Sequence, residues 1–274
     1  MRVHYFLFLL AMLSIGSSAI LVRLANAPGT VCAFFRLLFS LPFVIVLNKG
    51  SFKGFDRLAV LSGIALGVHF SLWMDSLYRL PVFVSTAVVT TYPAFLALIE
   101  WKKEGFRPLS ALGIALALLG TFSLFGLRGV LDPLGLLESL LGSLAITAYF
   151  WIGRKVRREK ELGEYVLWAY AFAALTVFLY LLLVNVDPFI YLPRSFIWFL
   201  LMALVPMMGG HTVMNYLIKY YKAYVVSSIA FLEPIIAAIL AYLIFGEVPP
   251  NKSLLPSLGI VLGVSLVVLS ERYE

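Results

Sequence analysis

Two stretches of the chain, HFSLWMDSLYRLPVFVSTAVVTTYPAFLALIEWKKEG (69 to 105) and GHTVMNYLIKYYKAYVVSSIAFLEPIIAAILAYLIFG (210 to 246), read as versions of one another. An offset of 141 residues brings Leu77 onto Ile218, Pro93 onto Pro234 and Gly105 onto Gly246, each pair within an otherwise apolar run of helical length. The sequence therefore reads as a duplication, with one copy at 1–130 and the other at 131–274. Each copy holds five apolar segments. Because five is odd, the second copy must enter a bilayer upside down relative to the first, the inverted-repeat plan of many secondary transporters.

Composition demands the bilayer. The chain is 62% hydrophobic and 13% charged, whereas a soluble domain is about 25% charged, so it cannot cover a soluble surface. A span needs about 20 apolar residues to cross the hydrocarbon. Ten segments meet that requirement: 4–24, 29–48, 58–78, 81–101, 108–127, 134–153, 165–186, 195–218, 223–245 and 253–270. The expected fold is an all-α integral membrane protein, ten transmembrane helices in two inverted five-helix repeats. Pro28, Pro81, Pro108, Pro133 and Pro193 stand at or just before predicted helix starts, but Pro42, Pro93, Pro206 and Pro234 fall inside and predict kinks or breaks. The first segment has the basic residue and apolar run of a signal peptide. It is too long, lacks a small-residue cleavage site and is followed by similar segments, so it reads as a retained span.

Fifteen Lys and Arg residues fall on the side of the N-terminus, among them Lys49, Lys53, Lys102, Lys103 and the run RKVRREKELGE (154 to 164). Five fall on the other side: Arg23, Arg79, Arg128, Arg194 and Lys252. The positive-inside rule then places both termini in the cytoplasm; the membrane expected for such a chain is the cell (inner) membrane. The net charge of +7 is mostly this orientation signal. The 154–164 run reads as a solvated loop, and the scatter of basic residues argues against nucleic acid. Cys32 is the single cysteine, which excludes an intramolecular disulfide. No metal or other cofactor is expected, and the partners are a small-molecule substrate and the lipid bilayer, in a monomer or homodimer.

Phe35-Arg36 in the second segment, LSGIALGVHFSLWMDSLYR in the third, Pro93 in the fourth, NYLIK (215 to 219), FLEPIIAAILAYLIFGE (231 to 247) and LGIVLGVSLVVLS (258 to 270) together resemble the EamA branch of the drug/metabolite transporter superfamily. The most specific elements are Glu233-Pro234 and Gly246-Glu247. In the first copy the matching positions are Tyr92-Pro93 and Glu104-Gly105, with the acidic residue and glycine transposed. The resemblance implies a substrate cavity between the two halves near the membrane centre. It also implies export of amino acids, nucleotide-linked metabolites, polyamines or drugs, and it makes Arg36 a structural or gating charge.

Polar residues at membrane depth are costly and tend to face a cavity or a partner. Glu233 stands about ten residues from either end of its span, beside a proline that frees a backbone carbonyl. It is read as a substrate or proton ligand, against a fixed interhelical hydrogen bond. His69, Trp73 and Ser76 share one helical face, as do His211 and Asn215 on the matching span. The histidines read as pocket lining or a proton relay, against simple bonds to neighbouring helices. Thr90, Thr91 and Tyr92 cluster at Pro93, where hydroxyls can satisfy freed carbonyls or meet a solute. Ser139, Ser143, Thr147 and Trp151 recur at steps of four. They read either as close packing or as a path wall, with Trp151 taken as a substrate contact, while Gly16, Ser17 and Ser18 read as packing or gating. Asp75 is expected to pair with Arg79 four residues on, or to act as a gating charge. Exporter is the leading reading. The alternatives are a lipid or polyprenol-linked flippase and, remotely, an intramembrane enzyme, for which no H-E-x-x-H, G-x-S-x-G or phosphate loop is present.

Overall fold

Long apolar runs become helices here because only an α-helix satisfies its own backbone polar groups inside lipid. The structure, a computed structural model, describes residues 2–105, 107–125, 131–246, 248 and 254–270. Eight helices are long and apolar enough to cross a membrane. They are α1 (Val3–Ala25), α2 (Gly29–Leu47), α3 (Arg57–Ser76), α4 (Val82–Lys102), α6 (Pro133–Glu159), α7 (Leu162–Leu183), α8 (Pro188–Leu217) and α9 (Ala223–Phe245). Two shorter apolar helices, α5 (Pro108–Ser123) and α10 (Leu254–Ser270), complete the bundle, and no strand occurs among the described residues. Leu9, Leu13, Leu119, Leu183, Leu243 and Leu262 stand exposed on its outside, as a lipid-facing surface requires.

The packing has a two-fold pattern. α5 packs on α10, α2 on α7 and α4 on α9, each helix on its own counterpart in the other copy. Contact between α3 and α6 is matched by contact between α8 and α1. Small residues allow these close crossings. A Cβ on Gly113 would come within 2.6 Å of the Gly263 carbonyl oxygen, and one on Gly16 within 2.6 Å of Ile236 on α9.

Three helices are interrupted where the sequence places prolines. α4 runs over Val82–Val89, turns at Thr90 and Thr91, and resumes as Tyr92–Glu104 with Pro93 in its first turn. α9 runs over Ala223–Ser227, tightens to a 3₁₀ turn at Ser228–Leu232, and resumes as Glu233–Phe245 with Pro234 in its first turn. Proline is tolerated at a helix start because the first N–H groups lack partners anyway. Pro206 instead lies in a π-helical stretch, Ala203–Thr212, whose wider turn accommodates the missing donor. Pro42 sits within the unbroken α2.

Two expectations are corrected. The 154–164 run is not a solvated loop: α6 continues to Glu159, with Arg154 and Arg157 buried. Their heads find partners in Glu100 and in the Asn215 and Lys160 carbonyls, while their stems add apolar surface to the interface. Asp75 does not pair with Arg79. It accepts the Thr30 N–H (3.0 Å) at the start of α2, and Arg79 bonds Glu138 of α6 (3.2 Å). An unsatisfied helix N-terminus with its positive dipole end competes well for a carboxylate. Glu247, Arg128 and Lys252, which entered the sequence reading, lie outside the described residues.

Candidate functional site

The two breaks meet at one narrow cavity in the middle of the bundle. It is lined by Ile15 and Ser18 of α1, His69 and Trp73 of α3, Val89, Thr90 and Tyr92 at the α4 break, Ile146 of α6, His211 of α8 and Glu233 at the α9 break. The room left inside suffices for about one water molecule. Tyr92 and Glu233 are counterparts under the 141-residue offset, so each copy contributes the residue before its proline.

Glu233 is 8% exposed, and among the described residues its carboxylate has no hydrogen bond or ion pair. The interhelical hydrogen bond that would make it purely structural is therefore missing. Ser18, on the same wall, accepts from Arg36 Nη1 at 2.7 Å, and the guanidinium lies 4.2 Å from the centre of the Phe70 ring. Arg36 is fully buried, yet its Nε and Nη2 make no hydrogen bond. Leaving a buried polar donor unsatisfied costs about 1–3 kcal/mol, and more when the group is charged. A carboxylate and a guanidinium, both short of partners, thus stand at or just behind the wall of one cavity.

The histidines come together as the sequence predicts, with ring centres 6.4 Å apart. His69 donates from Nδ1 to the Gly142 carbonyl (2.9 Å) and stacks on Trp73 at 5.8 Å. That bond fixes its tautomer when neutral and leaves Nε2 free. His211 Nδ1 and Trp73 Nε1 are buried without partners. Phe70, the repeat counterpart of His211, meets it edge-on at 5.1 Å.

Three other candidates lie off the cavity. Thr91 bonds Ser143 of α6 (3.0 Å), and Asn215 donates to the Tyr149 hydroxyl (2.5 Å) and the His211 carbonyl (2.7 Å). Trp151 is half-buried, with Lys155 Nζ 3.5 Å from its ring centre. The small polar stripe of α6 packs on its neighbours through Ser139, which donates to Ser76 of α3, and Ser143, which bonds Thr91 of α4, while Thr147 bonds back to the Ser143 carbonyl of its own helix. At the α4 break, Thr90 and Thr91 donate to the Ala87 and Val88 carbonyls, two residues and one residue before the Val89 carbonyl that Pro93 leaves without its usual donor. Among the described residues no group of three His, Cys, Asp or Glu is placed to hold a metal.

Sequence reasoning passed over Glu100, which is 4% exposed. It accepts from Arg154 Nη1 (2.5 Å) and from the backbone N–H groups of Ala223 (3.1 Å) and Tyr224 (2.9 Å). A carboxylate inside the apolar run FLALIEW was the available signal.

The sequence matches the EamA-like transporter family twice, over residues 2–126 and 133–269. The chain belongs to the EamA-like transporter family. Its members are membrane transporters rather than enzymes and form part of the drug/metabolite transporter superfamily, so the repeats seen above are two EamA units in a multi-pass membrane protein. Among solved structures, one crystal structure of a protein aligns with a TM-score of 0.79 at 17% identity, covering 98% of this chain and 97% of that one. At that identity the likeness concerns the fold. No curated protein matches the sequence.

Proposed function

We propose that this EamA-like chain is an exporter of small polar or amphipathic metabolites, amino acids among them. In this reading ten spans form two inverted five-helix repeats, 1–130 and 131–274, in the cell (inner) membrane. Both termini lie in the cytoplasm, and the two broken helices provide alternating access. The observation that carries the reading is Glu233: a carboxylate with no hydrogen bond or ion pair among the described residues, at a helix break, on the wall of a central cavity, with the buried Arg36 as the opposite charge that acts on it. A buried carboxylate in that position gains most from a cationic group on a solute. Trp73, Tyr92, Ile15, Val89 and Ile146 offer rings and apolar surface for the rest of the solute, and Arg36 behind Ser18 has donors left for an anionic group. A cavity this narrow must widen to admit a solute, which is the motion alternating access supplies.

A thermal-shift screen of purified protein against amino acids and other metabolites tests this, because a ligand at 100 times its Kd stabilises by about 2.7 kcal/mol. The expected result is a shift with a solute carrying an amino group and an apolar part, followed by exchange of that solute across reconstituted vesicles. Stabilisation only by lipid-linked or polyprenol-linked compounds would favour the flippase reading and remove this one.

A further inference from the structure

In the alternating-access reading, a solute leaves the cavity where the halves of α4 and α9 part. At the end of the bundle that carries the N-terminus, Tyr92–Glu104 packs on Ala223–Ser227. At the opposite end, Val82–Val89 packs on Glu233–Phe245. The offset exchanges these two contacts, yet they are built differently. At the first, Glu100 of α4 bonds both backbone N–H groups that open α9, and it holds Arg154 of α6 at 2.5 Å. At the second, the counterpart of Glu100 is Ala241, a buried residue with no acceptor in its side chain. Among the described residues no side-chain hydrogen bond joins the two half-helices there.

Resting on the alternating-access reading above, we propose that Glu100 is the latch of the cytoplasmic gate, so that the empty carrier rests shut toward the cytoplasm and opens first on the other side. Opening the cytoplasmic end breaks two charge-assisted bonds from α9 to a buried carboxylate and leaves that carboxylate without them. Opening the other end separates apolar surfaces that lipid or solute can re-cover. Glu100 acts through the helices it joins and touches no solute, so it is a positioning residue. Arg154 fixes the carboxylate against α6, which is why the latch ties a first-copy helix to two helices of the second copy.

The test is thiol labelling of Val89→Cys, a cavity-wall position, with Cys32 replaced by Ala, using a membrane-impermeant maleimide in right-side-out and inside-out vesicles. Lys160→Cys in matched vesicles reports which face is the one assigned to the cytoplasm. The expected result is labelling at least about tenfold faster from the face opposite Lys160→Cys, with Glu100→Gln shifting the ratio about tenfold toward the Lys160 face. Glu100→Gln keeps the side-chain size, and Arg154→Gln serves as the second variant, expected to shift the ratio in the same direction. Lys219→Ala, which breaks only an exposed pair with Glu161 at the same end, should leave the ratio unchanged. A ratio within about twofold of the parent in folded Glu100→Gln and Arg154→Gln would overturn the proposal, and so would an equal shift in Lys219→Ala. Labelling needs no solute, so this outcome stands apart from whether any metabolite is transported.

Discussion

The two broken helices share one architecture and differ in chemistry. α4 and α9 each stop at mid-depth, resume with a proline in the first turn and place the residue before that proline on the cavity wall. In the first copy that residue is Tyr92, an aromatic ring stacked on Phe150 at 5.8 Å. In the second it is Glu233, which stacks on nothing and bonds nothing among the described residues. One turn from the far end of the resumed helix the asymmetry reverses: α4 carries the buried Glu100 and α9 carries Ala241. Duplication thus supplied the breaks, the close packing and the place for a cavity. Divergence at two positions supplied a charge at the centre and a charge at one end.

The largest effect is expected at the charged end. Arg154→Ala leaves the Glu100 carboxylate buried without its cation and should destabilise the folded protein by about 3 kcal/mol or more. Arg79→Ala removes a partly exposed pair with Glu138 at the other end and should cost no more than about 1 kcal/mol. Denaturant unfolding in detergent compares the two, and equal losses would break the contrast between the ends. At the centre the contrast is one of transport. Glu233→Gln keeps shape while removing charge and should lower transport of a cationic or zwitterionic solute roughly thirtyfold, about 2 kcal/mol. Tyr92→Phe should stay within about threefold, because the ring is kept. Initial rates in reconstituted vesicles decide it, and a Tyr92→Phe loss as large as that of Glu233→Gln would mean the copies are functionally equivalent.

Much of this was legible in the sequence because lipid imposes simple rules. Long apolar runs, interior prolines and a repeat offset located the helices and the breaks, and a carboxylate ten residues from either end of a span singled out Glu233. The helical faces of His69 with Trp73, and of His211, pointed into the cavity as read. Asn215 shares the His211 face yet bonds Tyr149, and Thr91, from the cluster at Pro93, bonds Ser143, because local spacing identifies neighbours along one helix and says nothing of what the next helix brings. Glu100 stands two residues before Lys102 at the end of its apolar run, where a charge needs no special explanation and so draws no attention. Its partner Arg154 sat in a run whose charge suggested solvent. The contact that buries both spans 54 positions of chain, and local pattern carries no trace of it. Asp75 was misassigned for the same reason: Arg79 is close in sequence, but the start of α2 is close in space.

Solute is expected to occupy the cavity between the two breaks. The direct measurement is substrate protection of Ile146→Cys, on the α6 wall of the cavity, against Lys160→Cys, at the end of the same helix and away from the cavity. Both are labelled by a small thiol reagent in the Cys32→Ala background. A solute that stabilises the purified protein should slow labelling at Ile146→Cys about tenfold or more at saturation and leave Lys160→Cys within about twofold. Unchanged labelling at Ile146→Cys, under the same saturating solute, would place binding elsewhere and contradict the account.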